Sequence, residues 1–208
     1  MTASISQDGI DNNADIIVSE TNNGVFTITQ GGTGNDADID SIDDRGSNVT
    51  ITQADDSNVA DVNLLASQGT ITIDQTAGDS NRAVVNFDNA NDTAITVTQI
   101  GNLNVAESVV VNDSDSTIVI AQANDGIAHQ AFVTMTDTQN SLASINQTGV
   151  GNLATIDISQ VINASATIIQ DSYSNEATIT ISNGGDGANI TIDQTGCFDC
   201  VATMTAPI

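Results

Sequence analysis

The sequence has little of the material from which most globular cores are built. Its 208 residues include no tryptophan, one tyrosine and four phenylalanines, so large aromatic side chains cannot anchor a wide interior. Basic residues are almost missing as well: the chain has only Arg45 and Arg82. With 27 acidic residues, its formal net charge is -25. A surface this negative repels nucleic acid and anionic membranes. We therefore expect neither as a partner.

Long hydrophobic runs and catalytic groups are equally scarce. No apolar run approaches the roughly 20 residues of a membrane helix, and the start, MTASISQDG, lacks the basic and apolar regions of a signal peptide. We expect no membrane span, and either a processed chain or one exported by another route. The only histidine, His129, has no nucleophile at a suggestive spacing, and we expect it to be a polar turn residue. These absences predict a protein that is not an enzyme and binds no cofactor.

A repeat fills the chain instead. A glutamine that follows alternating apolar residues recurs at intervals of 22 to 25 residues. The nine glutamines are Gln7, Gln30, Gln53, Gln75, Gln99, Gln122, Gln147, Gln170 and Gln194. Nine units therefore cover residues 1–208, which predicts one repetitive domain.

Two further positions recur in register with the glutamine. An asparagine follows it by five residues in six units, and an alanine comes two residues later. The asparagines are Asn12, Asn35, Asn58, Asn104, Asn152 and Asn175. In the other three units the alanine comes one or two residues later, at Ala83, Ala131 and Ala202. We expect a bulge or a longer arc at these three places.

Each unit reads as strand, turn, strand, turn. The first strand ends at the glutamine, as in VTITQ and ITIDQ, and the second starts at the alanine, as in ATIDI and ATITI. Gly, Asn and Asp between them provide turn residues, and no segment keeps the 3.6-residue apolar period of a helix. The pattern predicts an all-β fold, a β-solenoid of nine coils with two facing parallel sheets.

The glutamines have the same strand parity as the apolar residues, so they point inward. A lone buried amide would lack hydrogen-bond partners. A glutamine stacked on the glutamine of the next coil can instead donate and accept along the axis, and the asparagines can do the same at the inner edge of the turn. We therefore predict two structural amide ladders. The alternative is that the glutamines merely mark polar turn starts.

The segment SLASINQTGVGNLA, Ser141 to Ala154, has a serine, then Gln147, Gly149, Asn152 and Ala154 at fixed spacings. This pattern resembles the curlin repeat, the unit of the secreted curli amyloid fibres of bacterial biofilms, and it extends over the whole chain at lower fidelity. The resemblance implies an extracellular subunit, at the cell surface or in a biofilm matrix, that polymerises into fibres.

The ends and faces of the predicted solenoid suggest how it would assemble. Neither terminal coil shows a capping segment, and only Pro207 blunts the last one. An open strand edge at each end allows head-to-tail addition, so the expected partner is the chain itself in an open homopolymer, with other matrix components as further partners. One alternative is an ice-binding solenoid, because outward Thr-x-Thr pairs such as Thr27 with Thr29 form ladders. Another alternative is a monomeric adhesin.

Two residue types remain. Aspartates cluster in arcs or on outer faces, which suggests either weak divalent-cation binding or a solvated face that opposes aggregation. The clusters are Asp36, Asp38 and Asp40, Asp43 with Asp44, Asp55 with Asp56, and Asp113 with Asp115. Cys197 and Cys200, the only cysteines, fall in the last arc. We expect a local disulfide there, with a free pair or an intermolecular bridge as the alternative.

Overall fold

The structure of the protein is a computed structural model. It describes residues 1–20, 22–43, 45–65, 69–88, 92–112, 114–124, 126–137, 139–160, 162–182 and 188–205. Asp44, Asp113 and Pro207 lie outside these ranges.

Seventeen strands and no helix make up the described secondary structure. In chain order, β1 to β17 are Thr2–Gln7, Asn13–Ala14, Val25–Gln30, Asp36–Ala37, Asn48–Gln53, Val59–Ala60, Leu64–Leu65, Gly69–Ala77, Arg82–Ala83, Phe87–Asp88, Thr93–Ile100, Thr117–Asn124, Leu142–Val150, Ser165–Tyr173, Glu176–Thr178, Asn189–Phe198 and Val201–Thr203. No described segment forms a helix that is long and apolar enough to cross a membrane.

One parallel sheet of nine strands runs the length of the molecule. Its order is β1-β3-β5-β8-β11-β12-β13-β14-β16, so each strand lies beside the strand one repeat later. Glutamine lies opposite glutamine in seven of these pairings. The predicted β-solenoid is confirmed: eight complete turns of chain connect the nine strands. We number the coils one to nine by their glutamines.

The opposite side of the solenoid is less regular than the sequence predicts. It consists of a four-stranded sheet, β2-β4-β6-β9, and two pairs, β7 with β10 and β15 with β17. Residues 154–158 form no strand, and the predicted strand at 177–181 is reduced to β15. Residues with a left-handed φ interrupt this side, among them Asn63, Val109 and Asp157. Such a residue turns its peptide out of the plane of the ladder.

The core is a thin layer of aliphatic side chains between the two sides. Alternate residues of β3, Phe26 and Ile28, are fully buried, and the same rows continue through Ile168 of β14. On the irregular side Ala154 and Ile156 are equally buried. Inward and outward positions therefore alternate even where strand geometry is lost, because burial of the apolar rows decides which face each residue takes.

Candidate functional site: two ladders of stacked side chains

The nine repeat glutamines form one continuous chain of hydrogen bonds along the axis. In each step, Nε2 of one glutamine donates to Oε1 of the glutamine in the next coil, over 2.7 to 3.0 Å in all eight steps from Gln7 to Gln194. The seven glutamines from Gln30 to Gln170 are at most 1% exposed. The chain of amides crosses every coil boundary.

The second hydrogen of Nε2 binds the arc of the preceding coil. In Gln30 it goes to the carbonyl oxygen of Asn13, over 2.7 Å, and in Gln99 to that of Arg82, over 3.0 Å. Gln99 thus uses both hydrogens and its Oε1, which accepts from Gln75. A buried amide that uses all these groups incurs little desolvation penalty.

The second ladder has a different chemistry from the one expected. The asparagine Oδ1 accepts the backbone N–H of the ladder residue in the next coil, for example Asn58 N–H to Asn35 Oδ1 over 2.8 Å. Its Nδ2 donates to a carbonyl of its own turn, as Asn58 does to Ala54 over 2.6 Å. The stacking is therefore side chain to backbone rather than amide to amide, because Nδ2 is needed to satisfy the tight turn.

Three residues of this ladder are not among the six predicted asparagines. Asn81, His129 and Cys200 occupy the same row in coils four, six and nine. His129, expected to be a polar turn residue, lies in this turn, where its side chain is 0% exposed. The ladder row runs without a gap from Asn12 to Cys200, and Cys200 contributes only its backbone N–H, over 3.1 Å.

Glycines in the turn between the two ladders allow the coils to stack this closely. Gly32 has a φ of +82°, and a Cβ there would lie 2.0 Å from the carbonyl oxygen of Asp55 in the next coil. A Cβ on Gly78 would likewise lie 2.0 Å from the carbonyl oxygen of Gly101. The strand pairs β8 with β11 and β14 with β16 shift register close to this turn, as expected for coils four and nine.

Some of the clustered aspartates accept hydrogen bonds from backbone N–H groups of neighbouring coils. Asp56 Oδ1 accepts from Thr33 N–H over 2.8 Å, and Asp55 Oδ2 accepts from Gly78 N–H over 2.9 Å. Within the described part of the chain, no three His, Cys, Asp or Glu side chains come together in a group that could hold a metal ion. Weak cation binding by surface aspartates stays a prediction.

Asp38 lies in an uncompensated stack of carboxylates. Asp15, Asp38 and Asp61 occupy one outward row of three consecutive coils, as their backbone bonds to the alanine row show. Partial burial raises the pKa of the Asp38 carboxyl, and the charges of Asp40, Asp61 and Asp15 raise it further. One backbone hydrogen bond lowers this pKa but does not cancel the rise. The folded state therefore favours the protonated form of Asp38.

Replacing Asp38 by asparagine is expected to stabilise the protein at neutral pH. Because folding raises the pKa of Asp38, its protonated carboxyl contributes stability to the folded state. That stability is complete below the unfolded pKa of 3.8 and is lost as the pH rises through the folded pKa. The amide removes that loss, so the thermal midpoint of D38N should rise by about 2 °C at pH 7 and match wild type near pH 3. Asp8→Asn, on the exposed first turn, is the control. An equal shift at both pH values would contradict this account.

The last arc carries the two cysteines and an aromatic pair. Cys197 and Cys200 are joined in a disulfide, with their Cα atoms 5.9 Å apart. Phe198, between them, stacks on Tyr173 of the preceding coil, with ring centroids 5.3 Å apart and planes within 6°. Phe198 is 68% exposed, so this arc presents an apolar surface to solvent.

The outward face of the long sheet carries stacked hydroxyls over part of its length. Thr27, Thr50, Thr72 and Thr96 lie opposite one another in consecutive strands. Val119 interrupts the row in coil six, and hydroxyls resume beyond it with Ser144, Thr167 and Thr191. Threonine therefore stacks without interruption over four coils, two to five.

The sequence matches no model of a known protein family, and no curated protein is significantly similar to it.

Proposed function

We propose that the protein is a structural, non-catalytic subunit that adds head to tail into curli-like fibres of an extracellular matrix or surface appendage. The observation that carries this proposal is the match between the outer strands of the long sheet. β1 and β16 each have one neighbour, and both present inward rows ending in a ladder glutamine. Ala3, Ile5 and Gln7 of one copy would lie against Ile190, Ile192 and Gln194 of another.

The state of the outer rows supports this joint. Ile5 is 47% exposed, whereas Ile28 directly behind it is 0% exposed. Gln194 Nε2 donates to the carbonyl oxygen of Cys200, over 2.9 Å, in place of a further glutamine. When another copy adds, Gln194 Nε2 can donate this hydrogen bond to Gln7 Oε1 of that copy instead. The joint then repeats the contact found at each internal coil boundary.

The disulfide arc adds a second contact to the proposed joint. Ile10 in coil one and Phe198 in coil nine lie in the same axial column, three backbone pairs beyond the glutamine row. Both side chains are exposed, Ile10 at 64% and Phe198 at 68%. Docking would bury both and continue the Tyr173 and Phe198 stack with an aliphatic side chain. Apolar side chains at both ends of one column favour a fixed register.

Charge opposes this assembly until it is screened. With a formal net charge of -25, each subunit repels the next, and this repulsion weakens as salt shortens the Debye length to about 8 Å at 0.15 M. Fibres should therefore form faster in salt than in water. The acidic surface would keep the secreted subunit soluble before assembly.

The test is electron microscopy with fibre diffraction on the purified protein, incubated with and without about 0.15 M salt. Wild type should give unbranched filaments with a meridional spacing of about 4.7 to 4.8 Å. Ile5→Asp should slow elongation about tenfold or more, because a buried carboxylate would then face Ile192. Ile162→Asp changes a residue that is 54% exposed in a turn and should assemble like wild type.

A stable monomer in all conditions would overturn the fibre proposal. The register of Thr27, Thr50, Thr72 and Thr96 would then favour the second candidate, an ice-binding face. Thermal hysteresis of that monomer would distinguish ice binding from an adhesin.

A further inference from the structure

His129 is the one ladder residue whose hydrogen bonding depends on its protonation state. Its backbone N–H donates to Asn104 Oδ1 over 3.1 Å, and its ring lies between coils five and seven. Nδ1 is 3.1 Å from the backbone nitrogen of Asn152. Nε2 is 3.0 Å from the carbonyl oxygen of Ala123.

These two partners define the tautomer. A backbone N–H can only donate, so Nδ1 must carry a lone pair, and a carbonyl oxygen can only accept, so Nε2 must carry the hydrogen. The ring in the ladder is therefore the neutral Nε2–H form. A second proton, on Nδ1, would point at the N–H of Asn152 and leave that donor unpaired.

Among the described residues, no charged side chain offsets such a proton. The facing turns, 99–104 and 147–152, contain no ionisable residue, and the arc of His129 itself, 122–129, contains only Asp125, which lies outside the described residues. Burial lowers the pKa of His129, while the Ala123 carbonyl raises it to a smaller extent. The environment thus disfavours the imidazolium form.

We infer that His129 makes coil six an acid-sensitive joint in the solenoid, where protonation of Nδ1 breaks the ladder between coils six and seven. In a solenoid each coil is held by its neighbours alone, so a weakened boundary opens locally. The joint would divide coils one to six from coils seven to nine. Asparagine, with an amide oxygen that does not titrate in this range, occupies the same place in coils five and seven and gives those boundaries no such sensitivity.

The expected pH dependence follows from linkage. Above pH 6.5, the ordinary value, the ring is neutral whether the boundary is closed or open. Between pH 6.5 and the lower folded pKa, the open form binds a proton that the closed form does not. Its population then rises about tenfold per pH unit. Below the folded pKa both forms are protonated and the population levels off.

Amide hydrogen exchange of the monomer at low salt, corrected for intrinsic rates, measures this opening. Protection of Asn152 N–H should fall about tenfold per pH unit below 6.5, while Asn58 N–H, bonded to Asn35 Oδ1, serves as the internal reference. His129→Asn should remove the difference between the two amides. Asp125→Asn should leave it in place.

Two results would overturn the inference. One is the same pH dependence of Asn152 N–H in wild type and His129→Asn. The other is an NMR titration of the wild-type ring at its ordinary value of 6.5, a measurement that does not depend on how the variant folds. Both experiments use the monomer, so their outcome is separate from whether fibres form.

Discussion

Replacing Gln99 by glutamate should destabilise the solenoid by about 4 kcal/mol at neutral pH. Gln99 is 0% exposed, and its Nε2 donates to Gln122 Oε1 over 2.9 Å and to the Arg82 carbonyl over 3.0 Å. Glutamate has nearly the same shape, but it sets a carboxylate oxygen against these two acceptors. The buried acid gains no cationic partner among those contacts, so the coil boundary weakens on both sides.

The loss in Q99E should shrink in acid. A buried carboxyl has a raised pKa, and its contribution is lost as the pH rises through that value. The protonated acid can donate one of the two missing hydrogen bonds. Gln99→Leu offers no titratable group, so its own loss should not follow this dependence once the wild-type profile is subtracted.

Chemical denaturation followed by circular dichroism would measure both variants from about pH 4 to pH 8. Gln7→Glu is the matched control, because Gln7 is exposed and lies in the outermost strand, β1. Its cost should stay below about 1 kcal/mol. If Q99E and Q7E lost equal stability, the ladder would not contribute in the way that its hydrogen bonds indicate.

The long sheet and its glutamine row follow from two features of the sequence. The spacing of 22 to 25 residues sets one coil, and the parity of Gln147 with Ile145 turns the amide inward. A parallel stack is then the arrangement that satisfies nine inward-pointing amides with one another. The inward direction of the glutamines does not depend on the turns, because alternation along a strand has a period of two.

The asparagine row could be predicted only in part. Asn81, His129 and Cys200 follow their glutamines by six, seven and six residues rather than five, because inserted residues lengthen the turn before them. A count back from the alanine finds all three, since Ala83, Ala131 and Ala202 each come two residues later. The alanine is the better reference, because the insertions precede the ladder residue.

The irregular side shows a different limit. Ala154, Ile156 and Ile158 alternate as a strand would, and all three are buried, yet Asp157 between them has a φ of 89°. Alternation of polarity predicts which side chains face inward, but the backbone angle depends on contacts with the neighbouring coils. Aspartate and asparagine tolerate left-handed angles better than most residues. Their presence in an alternating pattern therefore indicates a position where the strand geometry can be interrupted.

Neighbouring glycines in the turn of coil two should respond to alanine in opposite directions. Gly32→Ala should cost about 3 kcal/mol, from the left-handed backbone and from steric overlap. Its φ is +82°, and the new Cβ would lie 2.0 Å from the Asp55 carbonyl oxygen and 2.7 Å from its carbon. These are backbone atoms of the next coil. Gly31 N–H donates to the Gln53 carbonyl over 2.8 Å, so the two coils cannot separate at this turn without losing hydrogen bonds.

Gly31→Ala is the matched control in the same turn. Gly31 has no left-handed φ, and its Cβ would meet nothing within 4 Å. Alanine there reduces the freedom of the unfolded chain and should stabilise by up to about 0.5 kcal/mol. Urea denaturation of both variants and wild type would measure the difference. Equal losses would contradict this account, whereas opposite signs would show that the requirement for glycine is specific to position 32, with its left-handed φ and its contact with the carbonyl of the next coil.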